Sequence, residues 1–461
     1  MAGPRFTGAV AKYPARFALA AYVGLIVVGA LLLMAPVCHA DPERPFSPLD
    51  ALFTSTSAVC VTGLVVRSTG NDLSMLGQGV VLGLIQLGGI GIITVTTLLS
   101  FGDRRGGGGV RQQLAISEAL GSRPTDDARW VVRTVVGSVL AIEGLGWLLL
   151  FIRNLADMTA ADAAWHALFH SVSAYCNAGF GLYDDSLMQY ESDVLVNLTI
   201  AALIILGGIG FPVMLDVYRG IRERGWNWFE DLSLHTKLVL WGTAGLLIVG
   251  TASFLFLERH NSLEDLPWPD RLLAAFFHST SCRTAGFNTV EIAGLTNAML
   301  FVSLLLMMIG ASPCSTGGGF KVSTMMVLGI LSRDKLRGFT NVRFARRTIS
   351  EALIDRAVAA VLLFTLIAGV GLTTLLAVEQ TGVPHTDSKG LFLDAMFEVV
   401  SALGTVGLST GLTTQLGDGG RTLLIVLMLI GRLGPISLFV AVSRTRRDLR
   451  LDYAKEDVLI G

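Results

Sequence analysis

The chain has 461 residues, of which 52% are hydrophobic and only 15% charged; an average soluble domain carries about 25% charged residues. With a mean hydropathy of +0.61 and a net charge of -1, this is the composition of an integral membrane protein. It is not that of a basic nucleic-acid binder, and no nucleic-acid partner is expected.

In chain order, charge-free apolar runs occupy Phe17–Ala35, Val80–Leu99, Val194–Leu215, Leu238–Leu257, Ala298–Gly310, Ala357–Val378 and Leu423–Arg432. Several reach the length of about 20 residues that a helix needs to cross the hydrocarbon core. Phe17–Ala35 is too long for the core of a secretory signal, and no small-residue cleavage site follows it. With the loop after that run placed outside and sides alternating, segments 1–16, about 100–133, 216–237, 331–356 and 444–461 become cytoplasmic. They hold 25 of the 35 Lys and Arg residues, which is the bias that orients membrane helices. A multi-pass protein of the cell membrane is expected, with both termini cytoplasmic and an even number of spans. The outer segments hold 20 of the 36 acids, a distribution that concentrates cations there.

Internal repetition organises the chain. Four glycine-containing segments read Cys60-Val61-Thr62-Gly63-Leu64, Cys176-Asn177-Ala178-Gly179-Phe180, Arg283-Thr284-Ala285-Gly286-Phe287 and Gly404-Thr405-Val406-Gly407-Leu408, with their glycines 116, 107 and 121 residues apart. Each follows a short amphipathic stretch of about 10–12 residues carrying Phe and then Ser: Phe53 and Ser57, Phe169 and Ser173, Phe277 and Ser281, Phe397 and Ser401. A second glycine cluster follows each: Gly88–Gly91, Gly207–Gly210, Gly310, and Gly431 with Gly434. Unrelated membrane helices would not keep this register. The expected fold is therefore all-α: four tandem helix–pore loop–helix units, eight spanning helices in all, in a pseudo-fourfold arrangement around one pore per chain. The units run 1–105, 106–225, 226–340 and 341–461.

Loops at membrane depth survive only where they line protein or a water-filled cavity. Four at equivalent positions imply convergence on one axis. An ion leaving water needs oxygen ligands, which a ring of backbone carbonyls supplies. Aiming successive carbonyls at one axis requires backbone angles that glycine adopts cheaply.

On these motifs, together with Leu232-Ser233-Leu234-His235-Thr236-Lys237 and the terminal Val458-Leu459-Ile460-Gly461, the chain resembles the Trk/Ktr/HKT superfamily of potassium transporters along nearly its whole length. The likeness is closest to the Ktr-type membrane subunit. The resemblance implies that Val61, Thr62, Gly63, Asn177, Ala178, Gly179, Thr284, Ala285, Gly286, Thr405, Val406 and Gly407 form one selectivity filter. Potassium would bind the backbone carbonyls of Thr62, Gly63, Ala178, Gly179, Ala285, Gly286, Val406 and Gly407. Glycine in all four loops implies potassium over sodium. The resemblance also implies a homodimer resting on a ring of cytoplasmic RCK-type (KtrA-like) nucleotide-binding regulatory subunits. Nucleotide would bind those subunits and not this chain. Ktr-type systems depend on sodium, yet no motif here locates a sodium site.

Other residues carry their own expectations. Arg432 lies inside the last apolar run, where a charge is costly and marks function; it is expected to face the pore below the filter and slow permeation. The segment Gly310-Ala311-Ser312-Pro313-Cys314-Ser315-Thr316-Gly317-Gly318-Gly319 cannot form a stable helix and reads as a gate, with Gly310, Ser315, Thr316, Gly317, Gly318 and Gly319 as its flexible elements and Lys321 as its tether. Arg283 is expected to brace the third loop by hydrogen bonds. Glu143 is an acid within a span, with no partner legible in the sequence and a structural role expected. The five cysteines show no C-x-x-C or zinc spacing and read as packing residues. Gly106–Gly109 lacks a following Gly-Lys-Ser/Thr and reads as a cytoplasmic linker. Two other classes remain open. A secondary transporter with broken helices around a midplane site usually shows twofold repeats. A membrane enzyme needs clustered acid, base or metal groups, and Glu143, Lys321 and Arg432 are far apart in sequence.

Overall fold

The computed structural model describes residues 14–41, 43–101, 128–224, 229–380 and 382–434. The Gly106–Gly109 linker, the charged segment Arg444–Asp457 and the terminal Val458–Gly461 lie outside the described residues. Helices follow in four groups. The first holds α1 (Pro14–Leu33), α2 (Pro48–Cys60) and α3 (Met75–Phe101). The second holds α4 (Ala128–Asn154), α5 (Ala160–Tyr175), α6 (Val194–Ile209) and α7 (Phe211–Arg224). The third holds α8 (Leu234–Leu257), α9 (Trp268–Ser281), α10 (Asn297–Met308) and α11 (Val322–Leu336). A hairpin of β1 (Arg343–Phe344) and β2 (Arg347–Thr348) precedes the last group, α12 (Glu351–Glu379), α13 (Leu391–Gly404) and α14 (Asp418–Leu433).

Helix starts are encoded locally. Ser47, Thr159, Asp193, Ser233 and Thr296 each accept a hydrogen bond from a backbone N–H of the following first turn, which satisfies a donor the helix leaves orphaned. The short helices α2, α5, α9 and α13 contain 13, 16, 14 and 14 residues. They exceed the expected 10–12 residues. After α8, Glu258 accepts from the Thr296 backbone N–H (2.9 Å) and hydroxyl (2.6 Å), from Asn261 Nδ2 (2.7 Å) and from Ser262 Oγ (3.0 Å). Burial pushes its pKa up, but these donors outweigh burial and hold it below the usual carboxylate value.

The run Val194–Leu215 is not the single span its composition suggests. It breaks at Gly210, and α6 and α7 meet at 97°. Gly210 adopts φ +84°, and Pro212, which lacks an N–H, fits only the first turn of α7. Among the described residues, three helices (residues Arg133–Asn154, α8 and α12) are long and apolar enough to cross a membrane, or four with the bent pair.

Each short helix packs on the long helix before it, α1 on α2, α4 on α5, α8 on α9 and α12 on α13. Each also meets the helix that follows the short helix of the preceding group: α3 on α5, α6 on α9, α10 on α13, and finally α14 back on α2. The chain therefore closes on itself. Arg421 of α14 is fastened to Asp50 of α2 at 3.0 Å.

Small residues set these approaches. A Cβ at Gly29, Gly146 or Gly250 would lie 2.3, 2.7 and 2.3 Å from the hydroxyls of Ser55, Ser171 and Ser279. Each hydroxyl donates to the carbonyl three residues before its glycine, Ile26 (2.7 Å), Glu143 (2.6 Å) and Leu247 (3.0 Å). In the fourth group Gly371 faces Val399 instead. The later glycines act on the other side. A Cβ at Gly88, Gly207 or Gly431 would sit 2.1, 1.9 and 2.1 Å from the carbonyl oxygens of Val59, Tyr175 and Leu403. In the third group Gly310 instead meets Gly318 O at 2.0 Å.

A methyl at Gly207 has no room, because backbone cannot yield as a side chain does. Gly207→Ala is expected to lower the midpoint of thermal unfolding of the purified protein by at least about 5 °C, a shift of more than 1 kcal/mol for a chain this size. Gly245→Ala, which points into open space, should stay within about 1 °C of wild type.

Candidate functional site

Each short helix ends in a left-handed residue that turns the chain: Val61 (φ 56°), Asn177 (φ 58°), Thr284 (φ 63°) and Thr405 (φ 49°). Two residues later each loop has a glycine at positive φ: Gly63 (92°), Gly179 (69°), Gly286 (80°) and Gly407 (94°). Alternation between left- and right-handed residues swings successive carbonyls toward one side of the strand. The non-glycine residues hold this costly conformation because their surroundings fix it. The serine of each short helix is one fixture. Ser57 Oγ accepts from Gly63 N–H and Ser401 Oγ from Gly407 N–H, both at 3.1 Å. Ser173 Oγ donates to Phe180 O at 2.7 Å, and Ser281 Oγ donates to Phe287 O.

The four loops meet in a ring. A Cβ on Gly63 would come within 2.5 Å of Ala178 O, one on Gly179 within 2.8 Å of Ala285 O, one on Gly286 within 2.6 Å of Val406 O, and one on Gly407 within 2.2 Å of Thr62 O. The loops thus touch in cyclic order, through glycine on one side and carbonyl oxygen on the other. The hydroxyls of Thr62, Thr284 and Thr405 are buried and, among the described residues, without a hydrogen-bond partner. Buried polar atoms are rarely left so; Thr284 and Thr405 hold matching positions two residues before their glycines and Thr62 stands one before its own, and three such hydroxyls at the ring suit an occupant that supplies charge or water.

The break after α10 lies under the ring. A Cβ at Gly317 would lie 2.2 Å from Thr284 Oγ1, and one at Gly318 2.1 Å from Thr405 Oγ1. Gly310 N–H donates to Phe320 O (2.9 Å), and Ser315 Oγ to Ser312 O (2.6 Å). Ser312 N–H donates to Gly208 O (2.9 Å) and Thr316 N–H to Gly207 O (3.3 Å), stitching the segment to the end of α6. Asn177, with its amide nitrogen turned to the acceptors around it, donates to Tyr175 O (3.2 Å), Ile204 O (3.3 Å) and Thr316 Oγ1 (3.2 Å). Gly319 has φ 64°. Lys321 Nζ donates to Gly317 O at 2.8 Å. The Arg432 guanidinium donates to Thr316 O, to Gly88 O (2.6 Å) and, through Nε, to the Tyr22 hydroxyl (3.1 Å). Arg432 therefore joins α14, α3, α1 and the broken segment, and does not reach out to a helix end.

Sequence reasoning left Glu143 unpartnered; its Oε2 accepts from Gln86 Nε2 of α3 at 3.0 Å, and Cys176 Sγ lies 3.5 Å from Gln86 Oε1. No spacing rule links residues 57 positions apart, so only the fold could show this pair. Arg283 does not brace its loop in the expected way. It is 6% exposed, and its Nε is buried without a partner among the described residues. The guanidinium lines a cavity of about 10 Å³ with Ile204, Ile205, Gly208 and Thr280, room for about one water.

Comparison with known proteins decides the family. The model of the family described as "TrkH: Cation transport protein" matches residues 20–448. The chain belongs to the TrkH family of cation transport proteins. The chain is similar to the Ktr system potassium uptake protein B of Vibrio alginolyticus, at 38% identity over 97% of this chain and 94% of that one. It is 36% identical to the protein of the same name from Bacillus subtilis, over 95% of this chain and 94% of that one. It is 33% identical to the potassium/sodium uptake protein NtpJ of Enterococcus hirae, over 97% of each. The crystal structure of the potassium transporter TrkH from Vibrio parahaemolyticus shares the fold, with a TM-score of 0.71 at 20% identity over 92% of this chain and 83% of that one. These relatives are named as transport proteins, not enzymes, and this TrkH-family chain, with its apolar helices, is a membrane protein.

A lone buried charge costs several kcal/mol of desolvation, repaid only by good partners. Arg283→Met keeps the volume and removes the charge, and is expected to raise the midpoint of thermal unfolding by at least about 2 °C. An unchanged or lower midpoint would mean that the guanidinium is compensated.

Proposed function

We propose that this chain is the ion-conducting membrane subunit of a potassium uptake system. Its four groups of helices act as four helix–pore loop–helix units, 1–105, 106–225, 226–340 and 341–461, giving eight spans around one pore with both termini cytoplasmic. Potassium passes through the ring of loops. It exchanges water for the carbonyls of Thr62, Gly63, Ala178, Gly179, Ala285, Gly286, Val406 and Gly407, with Val61, Asn177, Thr284 and Thr405 as the turns that aim them. The observation that carries this reading is the cyclic contact of four glycines with four carbonyls. A carbonyl ring replaces a hydration shell without adding fixed charge. The relatives named for potassium uptake support the choice of ion.

The segment Gly310–Gly319 is the gate. It lies against Thr284 and Thr405, directly below the ring, so a cation leaving the filter inward meets it. Arg432 and Lys321 hold it there through the carbonyls of Thr316 and Gly317. Opening requires those two cations to release the segment. We assign the trigger to a partner: a homodimer of this chain seated on a ring of nucleotide-binding RCK-type subunits, with nucleotide bound by the ring and not by this chain. Two relatives are named as the B protein of a Ktr system, a lettered component. The surface around β1 and β2 exposes Arg333, Lys335, Arg337, Arg343, Arg346 and Arg347, a cationic face suited to docking on the cytoplasmic side. Sodium enters as a regulator or second ion, consistent with a relative named for potassium and sodium.

Rubidium uptake into liposomes holding the purified chain tests this, with sodium, nucleotide and the regulatory ring varied. Wild type should pass rubidium over sodium by at least about tenfold, or 1.4 kcal/mol of differential binding. Arg432→Ala, and separately deletion of Ser315–Gly319, should raise rubidium flux several-fold. Unaltered flux in both would sink the gate. Flux rising steeply with an imposed sodium gradient, at turnover rates far below those of a channel, would favour a coupled secondary transporter.

A further inference from the structure

One position on each short helix is buried against the chain that leaves the ring. It directly follows the fully buried phenylalanine, and the four occupants are Thr54, His170, His278 and Glu398, each at most 4% exposed. Their attachments differ. Thr54 Oγ1 has no hydrogen-bond partner among the described residues. His170 donates from Nδ1 to His166 O (2.8 Å), which leaves Nε2 to accept the N–H of Leu182 (3.4 Å), three residues past Gly179. His278 Nε2 lies 2.8 Å from Ser303 Oγ of α10. Glu398 is the most heavily used. Thr413 Oγ1 donates to its Oε2 at 2.6 Å, and Ser409 Oγ donates to its Oε1. Ser409 Oγ in turn accepts from Gly411 N–H at 2.9 Å.

Both hydroxyl donors to Glu398 come from residues 409–413, the stretch that begins two residues after Gly407. One oxygen of the Glu398 carboxyl accepts from each of them. The fourth loop is therefore gripped on both flanks of Gly407: inside by Ser401 Oγ on its N–H, outside by Glu398 on the residues that follow. We propose that Glu398 is a positioning residue for ion selection, clamping the outer leg of the fourth loop so that the Val406 and Gly407 carbonyls keep their spacing across the ring. This inference rests on the reading of the ring as the ion path. It assigns the four equivalent positions unequal duties: Glu398 takes two hydroxyl donors from the leg that follows Gly407, whereas the Thr54 hydroxyl, among the described residues, holds nothing in the leg that follows Gly63.

Glu398→Gln separates acceptor chemistry from packing, because the amide matches the carboxylate in size but turns an NH2 against donors. The readout is the ratio of rubidium to sodium uptake in liposomes, beside thermal unfolding of the same preparation. Glu398→Gln should lower the ratio at least about tenfold, while Thr54→Val keeps the wild-type ratio. If Glu398→Gln does not yield folded protein, Ser409→Ala with Thr413→Val removes two donors from the other side and should lower the ratio likewise. A folded Glu398→Gln, or in its place the folded double variant, with a ratio within twofold of wild type overturns the inference. A wild-type chain that does not select rubidium over sodium overturns the reading of the ring itself, and with it this inference.

Discussion

Everything in this structure depends on how closely four stretches of backbone approach one another where no side chain intervenes. At Gly63, Gly179, Gly286 and Gly407 a single added carbon would lie 2.2–2.8 Å from the carbonyl oxygen of the next loop, closer than real carbon and oxygen atoms pack. Two further sets of glycines extend the constraint outward. Gly88, Gly207 and Gly431 admit the carbonyl ends of α2, α5 and α13, and Gly29, Gly146 and Gly250 admit serine hydroxyls to backbone oxygens of α1, α4 and α8. The glycines therefore form concentric layers. The outer two bring the short helices inward, and the innermost lets the loops meet.

The departures from repetition are as informative as the repeats. Where three groups use the later glycine to seat a helix on a short-helix carbonyl, the third uses Gly310 to seat the broken segment on itself. The run Val194–Leu215 breaks at Gly210, where α6 and α7 meet at 97°, and leaves Gly207 O and Gly208 O to receive that segment. A Cβ at Gly210 would itself meet Pro313 O at 2.8 Å. Both breaks thus belong to one arrangement: the second group bends to make room for the loop of the third, and Arg432 of the fourth fastens it. A half-buried guanidinium with three oxygen acceptors from three elements is a costly group well compensated, which suits a part that must hold one position and release it as a unit.

Much of this was legible in the sequence. The Phe, Ser and Gly pattern located all four short helices and the loop glycines at positive φ after them, because glycine at a special φ leaves a signature that apolar residues do not; the left-handed turns at Val61, Asn177, Thr284 and Thr405 were not legible. The gap in the third group was legible for the same reason, since Pro313 and four glycines exclude a helix. The break at Gly210 was hidden inside a run whose hydropathy alone suggests one span; Gly210 followed at once by Phe211-Pro212 was the available signal. The Glu143–Gln86 bond and the isolation of Arg283 were not legible, because both depend on which faces of distant helices meet. The serines at 55, 171 and 279 were passed over for the same reason. Each lies two positions before a serine that was noticed, and only the packing against Gly29, Gly146 and Gly250 explains it.

The most direct test of the account is where the ion sits. A high-resolution map of the full-length protein, prepared in thallium or rubidium and read by anomalous scattering, should show density on the axis of the ring, at coordination distance from the carbonyls of Thr62, Ala178, Ala285 and Val406. Cation density confined to the space between the broken helices, with the ring empty at saturating ion, would contradict it.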